Sequence, residues 1–140
     1  MSDTVMVIGG GIAGIQASLD LARGGVRVVL VERAPTIGGV MAVLDKNFPT
    51  LDCSICIEAP KMSEVGLHPN IEILSLAEVM EVTGEPGNFT VKVSQKTRYV
   101  TDACTRCGEC TSVCPVVLPN EYDSGMAFRK AIYTPIPQSV

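Results

Sequence analysis

Residues 4–32 read TVMVIGGGIAGIQASLDLARGGVRVVLVE, and this stretch decides the fold. It begins with a short apolar run, residues 4–8, that is typical of a strand buried on both faces of a parallel sheet. Apolar residues then recur at helical spacing from Ile12 to Arg23, and a second apolar run covers residues 26–31. The pattern predicts a βαβ unit and an α/β fold with a Rossmann-like dinucleotide-binding half-domain.

The turn between the first strand and the helix has the phosphate-binding pattern G-x-G-x-x-G at residues 9–14, GGGIAG. In this motif Gly9 permits the tight turn, Gly11 lets the backbone approach a pyrophosphate, and Gly14 lets helix and strand pack closely. The helix N-terminus then faces the pyrophosphate with a partial positive charge. Because a strand precedes the motif and a helix follows it, a dinucleotide site is favoured over an ordinary glycine-rich turn.

Glu32 ends the second strand, and a carboxylate at this place accepts hydrogen bonds from ribose hydroxyls. Its negative charge repels a 2′-phosphate, which disfavours NADP. FAD and NAD share the fingerprint, but residues 32–39, ERAPTIGG, resemble the extended signature of the two-dinucleotide-binding-domain flavoproteins, and this favours FAD. The predicted cofactor-binding residues are Gly9, Gly11, Ala13, Gly14, Glu32, Arg33, Gly38 and Gly39.

Residues 104–115 read CTRCGECTSVCP and match the ferredoxin spacing C-x2-C-x2-C-x3-C-P. The match predicts that Cys104, Cys107, Cys110 and Cys114 ligate 4Fe–4S clusters. Zinc is the alternative, although zinc sites usually combine two separated C-x2-C knuckles. In two-cluster ferredoxins the fourth cysteine ligates the other cluster, so we expect Cys114 to share a cluster with ligands beyond Val140 or on another chain.

A different C-x2-C pair, Cys53 and Cys56, lies in residues 52–56, DCSIC. Three interpretations stay open: a redox disulfide beside the flavin, ligation of a further cluster near it, and two buried or idle thiols. The pattern does not predict the helix and βαβ context that a thioredoxin-like motif requires. Both cysteines are included among the candidate metal ligands.

Beyond Arg33 the regular patterns weaken, because prolines, glycines and cysteines interrupt them. Residues 34–60 are predicted to be loop-rich, with one short helical turn near residues 40–44. The elements predicted after this loop are a helix at 61–65, strands at 71–74 and 89–93, and a segment at 76–82 that either extends the first of these strands or begins another.

The chain has 140 residues, a formal net charge of -4 and 46% hydrophobic residues, which excludes disorder. Its 11 Lys and Arg residues are spread along the chain without a basic stripe, which disfavours nucleic-acid binding. The first apolar stretch, residues 5–21, contains three consecutive glycines and Asp20, so neither a signal peptide nor a membrane span is predicted. The six clustered cysteines favour metal or redox chemistry in a reducing, cytoplasmic location.

Three parts of the chain are predicted from these patterns. Residues 1–98 form the N-terminal part of an FAD-binding domain, and residues 99–130 form a small ferredoxin-like 4Fe–4S insert. Residues 131–140 are a proline-containing segment that returns towards the remainder of the flavin fold.

Several segments together resemble the A subunits of heterodisulfide reductases, the HdrA-like iron–sulfur flavoproteins. They are the glycine motif with Glu32 and Gly38-Gly39, the loop segments DKNFPT (45–50), DCSIC (52–56) and APKM (59–62), and the cysteine run with the later AIYTPIPQ (131–138). The resemblance covers nearly all 140 residues. Its specific parts are the cysteine loop and the proline-rich tail, because the glycine motif occurs across many flavoproteins.

The resemblance implies an oxidoreductase component: an FAD-containing, multi-cluster electron-transfer subunit of a larger complex. In that family the flavin accepts an electron pair and splits it between two cluster chains, one leading to ferredoxin and one to the heterodisulfide-reducing subunits. The implied partners are those subunits, the remainder of the flavoprotein, ferredoxin, and a hydrogenase or formate dehydrogenase module. The family's flavoprotein is much longer, so we expect residues 1–140 to be incomplete as a functional unit.

Two other classes of protein fit parts of the same pattern. In one, the chain is a small, non-enzymatic ferredoxin-like electron carrier in which the βαβ unit is only structural. In the other, it is a zinc-stabilised NAD-binding subunit. Flavin and metal content distinguish both from the iron–sulfur flavoprotein.

Overall fold

The computed structural model describes residues 4–101, 103–136, 138 and 139. Asp102 of the predicted insert, and Pro137 and Val140 of the predicted return segment, lie outside the described residues. The chain divides into two compact units, Met1–Arg98 with Gln138–Val140, and Tyr99–Pro137. The second unit thus extends past residue 130, where the insert is predicted to end, and the three-part division stays a prediction.

The first unit is an α/β structure built on a parallel sheet. Its elements are β1 (Thr4–Ile8), α1 (Ile12–Arg23), β2 (Arg27–Val31), a 3₁₀ turn (Met41–Val43), β3 (Lys46–Asn47), β4 (Asp52–Cys53), α2 (Ser54–Leu67), β5 (Ile71–Leu74), β6 (Ala77–Glu85) and β7 (Asn88–Gln95). The parallel sheet has the strand order β1-β2-β5, while β3–β4 and β6–β7 are antiparallel pairs. This arrangement confirms the predicted βαβ unit and α/β fold class.

The core of this unit forms where α1 covers the sheet. Ile15 and Leu19 on the helix, and Val28 and Leu30 on β2, are at most 1% exposed. The helical residues are four apart and so share one face of α1, as the sequence pattern predicts. Removing these aliphatic side chains from water stabilises the unit, at about 1.5–3 kcal/mol for each fully buried one.

Helix α2 is longer than predicted, because it begins at Ser54 and continues through Pro60. The prediction that residues 54–60 belong to a loop was therefore wrong. Proline inside a helix removes one hydrogen bond, and for this reason the sequence pattern predicts a break there. Tertiary packing outweighs that local cost, since one face of α2 is buried at Ser54, Glu58, Met62 and Val65.

The hairpin β6–β7 settles the alternative between extension and a new strand for residues 76–82. Leu76 has a positive φ of 54°, so the chain turns there and β6 begins as a new strand instead of extending β5. Val79 pairs with Val93 and Val82 with Val91, and directly opposed residues lie on the same side of a hairpin. The predicted strand at 89–93 is confirmed within β7.

The second unit contains little regular structure. Its elements are α3 (Glu109–Val113), β8 (Val117–Pro119), a 3₁₀ turn (Glu121–Asp123) and β9 (Phe128–Lys130), with β8 and β9 paired antiparallel. Arg129 fastens this hairpin: its Nε donates to Glu121 Oε2 at 2.7 Å, and its guanidinium carbon lies 4.0 Å from the centre of the Tyr133 ring. None of the described helices has the length and apolar character of a transmembrane span.

A carboxyl group lies in the core of the first unit beside its aliphatic residues. Glu58 is 0% exposed, and neither of its carboxylate oxygens finds a hydrogen-bond partner among the described residues. Burial penalises the charged form and raises the pKa of Glu58 above its ordinary value of about 4.5. The folded chain therefore holds the Glu58 proton to higher pH than the unfolded chain does.

The Glu58→Gln variant should change the pH dependence of stability. Above about pH 4.5 the unfolded carboxyl loses its proton while the folded one keeps it, so the wild-type free energy of unfolding falls as pH rises towards the raised pKa. The slope is at most about 1.4 kcal/mol per pH unit. Urea unfolding at several pH values should show this fall in the wild type and in the exposed control Glu85→Gln, but not in Glu58→Gln. A wild-type curve parallel to that of Glu58→Gln contradicts the prediction.

Candidate dinucleotide and cluster site

The glycine turn places the N-terminus of α1 directly after β1. Gly9 has a φ of +99°, and its N–H donates to the Val31 carbonyl on the neighbouring strand at 2.8 Å. The first intrahelical hydrogen bond runs from the Ile15 N–H to the Gly11 carbonyl, at 2.9 Å. No side chain of the described residues caps the helix at Gly11. The first N–H groups of α1 are therefore available to an anion.

The second and third glycines of the motif differ in the space around them. A Cβ atom at Gly14 would lie 1.9 Å from the Gly9 carbonyl oxygen, so no side chain fits there. A Cβ atom at Gly11 would meet no atom within 4 Å. Gly14 is thus required for packing α1 on β1, whereas Gly11 faces open space beside the helix N-terminus, where a pyrophosphate fits.

The loop that contains Gly38 and Gly39 lies against this turn. The Gly38 N–H donates to the Gly10 carbonyl at 2.7 Å, and a Cβ atom at Gly39 would lie 3.1 Å from Gly11 Cα. Their φ angles of +117° and +58° are in the region that favours glycine. These two glycines therefore let the loop approach the phosphate-binding turn closely.

Glu32 joins the glycine turn to the end of β2. Its Oε2 accepts a hydrogen bond from the Gly10 N–H at 2.6 Å, and its Oε1 accepts one from the Ala34 N–H at 2.8 Å. Each carboxylate oxygen has a second lone pair, so the group still accepts hydrogen bonds from a ribose. Sequence reasoning missed the bond to Gly10, because nothing local relates residues 22 positions apart.

Two open cavities, of about 380 and 520 Å³, border the glycine turn. Both volumes are in the range of small-molecule sites. All eight predicted cofactor residues line them: Gly9, Gly11, Ala13, Gly14 and Gly38 in the first, and Gly9, Glu32, Arg33 and Gly39 in the second. Other lining residues were missed, including Val40 and Met41 in the first cavity and Ala77, Glu78 and Val79 in the second. The last three belong to β6, far along the chain, and carry no sequence signal for a ligand site.

The fit to a dinucleotide can be tested with two single-residue changes in the full-length flavoprotein. Gly14→Ala forces its methyl group against the Gly9 carbonyl, and overpacking of this kind costs about 1–3 kcal/mol. Gly11→Ala places a methyl group in open space, so the fold stays intact while the group blocks the phosphate. We expect a lower melting temperature and flavin loss for Gly14→Ala.

For Gly11→Ala we expect an unchanged melting temperature and flavin binding weakened by roughly tenfold or more, which is about 1.4 kcal/mol. The measurements are thermal unfolding and the dissociation constant of FAD. Undiminished flavin binding in Gly11→Ala would show that the cofactor does not approach this turn.

Cys53 and Cys56 form a disulfide at the N-terminus of α2. Cys53 is the N-cap residue, and its sulfur accepts a hydrogen bond from the Cys56 N–H at 3.3 Å. The helix lies between the parallel strands β2 and β5 along the chain. The helix and βαβ context that the sequence pattern does not predict is therefore present. The assignment of these cysteines as metal ligands does not describe the disulfide form, since ligation requires thiolates; for the reduced pair it stays a prediction.

Alkylation of the metal-free chain should report this pairing. Without reductant, Cys53 and Cys56 should resist iodoacetamide while the four other cysteines react; prior reduction by a dithiol should add two modified residues. Peptide mass spectrometry identifies the modified positions, with the Cys53→Ser, Cys56→Ser double variant as control. Modification of Cys53 and Cys56 before reduction would contradict the pairing.

The ferredoxin-type cysteines lie in the second unit as free thiols. Cys104, Cys107 and Cys110 are exposed and Cys114 is half-buried. Gly108 has a φ of +83° at the turn before α3, which places Cys110 in the helix and Cys114 at its end. Among the described residues, no three Cys, His, Asp or Glu side chains stand close enough to hold a metal ion. The structure thus places the four thiols on one loop and short helix without gathering them around one point.

The surroundings of two of these cysteines stabilise negative charge on sulfur. The Glu109 N–H and the Thr105 hydroxyl lower the pKa of Cys107. The backbone N–H of Ile132, followed by that of Val116, lowers the pKa of Cys114. A lowered pKa favours the thiolate, which is the form that ligates iron. The donor set therefore fits an iron–sulfur cluster.

Comparisons with known proteins define the class. A family model described as "FAD dependent oxidoreductase" matches residues 4–44, and a "4Fe-4S binding domain" model matches residues 97–117. In structure, L-proline dehydrogenase from P.horikoshii superposes with a TM-score of 0.54 and 28% identity, over 66% of this chain and 20% of that one. The chain is therefore part of an oxidoreductase, an iron–sulfur flavoprotein whose cofactors are FAD and 4Fe–4S clusters.

Two relatives narrow this class to a family. The second of two iron–sulfur A subunits of CoB–CoM heterodisulfide reductase from Methanopyrus kandleri is 61% identical over 100% of this chain and 22% of its own length. The A subunit of an H2/formate:CoB–CoM heterodisulfide,ferredoxin reductase from Methanococcus maripaludis is 53% identical over 96% of this chain and 21% of its own length. The chain belongs to the family of iron–sulfur A subunits of heterodisulfide reductase. It spans about a fifth of the length of these relatives.

Proposed function

We propose that this chain supplies two parts of such a flavoprotein: the pyrophosphate and ribose site for FAD, and a ligand loop for 4Fe–4S clusters. The observation that carries the proposal is the uncapped N-terminus of α1 facing open space at Gly11, with Glu32 beside it. An anionic pyrophosphate and a ribose match these two features. FAD exchanges electrons in pairs or singly, and 4Fe–4S clusters carry them one at a time.

Each predicted residue has a role in this proposal. The helix N-terminus with Gly11, Ala13 and Gly14 binds the pyrophosphate, and Gly38 and Gly39 hold the covering loop against it. Glu32 accepts from the ribose, and Arg33 lines the same cavity. The cluster ligands are Cys104, Cys107, Cys110 and Cys114. They must stay reduced, which is consistent with a cytoplasmic setting.

The remainder of the flavin site is proposed to come from other parts of the flavoprotein. Strand β1 is the outermost strand of the described sheet, and Val5 and Ile8 on it are 36% and 65% exposed. A parallel sheet normally has both faces covered, so these apolar side chains indicate that further structure packs there. We propose that returning strands of the same flavoprotein complete the sheet beside β1.

Partners are proposed from the relatives' names and the chemistry. The relatives are components of heterodisulfide reductases, and one of their names includes H2, formate and ferredoxin. We propose that this chain works with the heterodisulfide-reducing subunits, with ferredoxin, and with a hydrogenase or formate dehydrogenase module. Distribution of electron pairs from the flavin to two cluster chains is part of the same proposal.

Electron transfer in the anaerobically purified complex tests the proposal. Cys107→Ala removes one cluster ligand without touching the glycine turn, so iron content should fall while the flavin content stays unchanged. Electron transfer from reduced flavin to the acceptor should slow at least roughly tenfold, measured by stopped-flow absorbance. Val113→Ala, at a side chain 78% exposed in the same run, is the control. Unchanged iron content and transfer rate in Cys107→Ala would overturn the cluster assignment.

A further inference from the structure

The segment that follows β9 returns to the cysteine run. Val117 pairs with Lys130, and the Ala131 N–H donates to the Val116 carbonyl at 3.1 Å. This pairing lays residues 130–132 alongside Val116 and therefore beside Cys114, two positions earlier. The segment brings backbone N–H groups and one positively charged side chain to the Cys114 sulfur.

Hydrogen bonds and charge at this sulfur have one sign. The N–H groups of Ile132, Val116 and Ala131 donate to Cys114 Sγ, and the Lys130 ammonium group adds a favourable charge interaction. All four contributions stabilise negative charge on the sulfur and lower the pKa of the thiol. A thiolate bound to a cluster carries part of the cluster's negative charge, so the same groups act on the cluster.

Two contacts hold this segment in place. The Thr111 hydroxyl, on α3 between Cys110 and Cys114, donates to the Ile132 carbonyl at 3.4 Å. From the other side, Arg129 Nη1 donates to the Lys130 carbonyl at 3.2 Å. Thr111 therefore orients the residue whose N–H reaches Cys114, and it does so from within the cysteine run itself.

We propose that Lys130 and Thr111 raise the reduction potential of the cluster that Cys114 ligates, Lys130 through its charge and Thr111 by positioning the Ile132 N–H. Reduction adds one negative charge to a 4Fe–4S cluster. Nearby cations and N–H···S hydrogen bonds stabilise the reduced state more than the oxidised one. The inference rests on the proposed ligation of a cluster by Cys114.

The test is a potentiometric titration of the complete, anaerobically purified complex, followed by electron paramagnetic resonance. Cys114→Ser identifies the signal of the cluster concerned. Lys130→Gln and Thr111→Val should each shift that potential to more negative values. Lys130→Arg keeps the charge and Thr111→Ser keeps the hydroxyl, so both should stay near the wild-type potential, as should the exposed control Thr134→Val.

The outcomes separate this inference from the proposed function. A wild-type complex without any cluster signal that depends on Cys114 would overturn the ligation itself. A normal signal whose potential is unchanged in Lys130→Gln overturns the electrostatic role of Lys130, and an unchanged potential in Thr111→Val overturns the positioning role. If Thr111→Val fails to assemble the cluster, Thr111→Ser decides: a potential that departs from the wild type despite the retained hydroxyl counts against the positioning role.

Discussion

The contact between Gly14 and the Gly9 carbonyl oxygen is the constraint on which the first unit depends. At this point a Cβ atom would stand 1.9 Å from the oxygen, so α1 can cross β1 only with hydrogen at position 14. The close crossing brings the N-terminus of α1 to the end of β1, without a side-chain cap among the described residues. A positive helix end and open space then occur at the same place, and this combination makes the turn an anion site.

The charge of Glu32 organises the second side of the same site. Its carboxylate is held by the N–H groups of Gly10 and Ala34, so it lies beside the glycine turn in a defined position. The loop through Gly38 closes against Gly10 by a further backbone hydrogen bond. One negative group and one positive helix end are thus fixed relative to each other by hydrogen bonds to the backbone. This geometry suits a ligand with a phosphate and a ribose at constant separation.

The two sets of cysteines differ in oxidation state and surroundings. Cys53 and Cys56 are joined at the start of a long helix, where backbone geometry brings two sulfurs three positions apart within bonding distance. The ferredoxin-type cysteines are free, and N–H donors around Cys107 and Cys114 favour their thiolates. The first pair is suited to two-electron thiol chemistry, whereas the second set is suited to iron ligation and single-electron transfer. An iron–sulfur flavoprotein combines both kinds of electron count.

Local sequence determined β1, α1 and the glycine turn within a residue of their bounds, because apolar runs, helical periodicity and positive-φ glycines each depend on neighbours along the chain. The ferredoxin spacing likewise indicated the cofactor of residues 97–117, since ligand geometry is encoded in the spacing itself. Only the tertiary structure carried α2 through Pro60, where burial of Met62 and Val65 outweighs a local helix breaker. It alone brought β6 to the cavity beside Glu32 and Ile132 to Cys114. These contacts join residues distant along the chain, and packing energy, which no local pattern records, decides them.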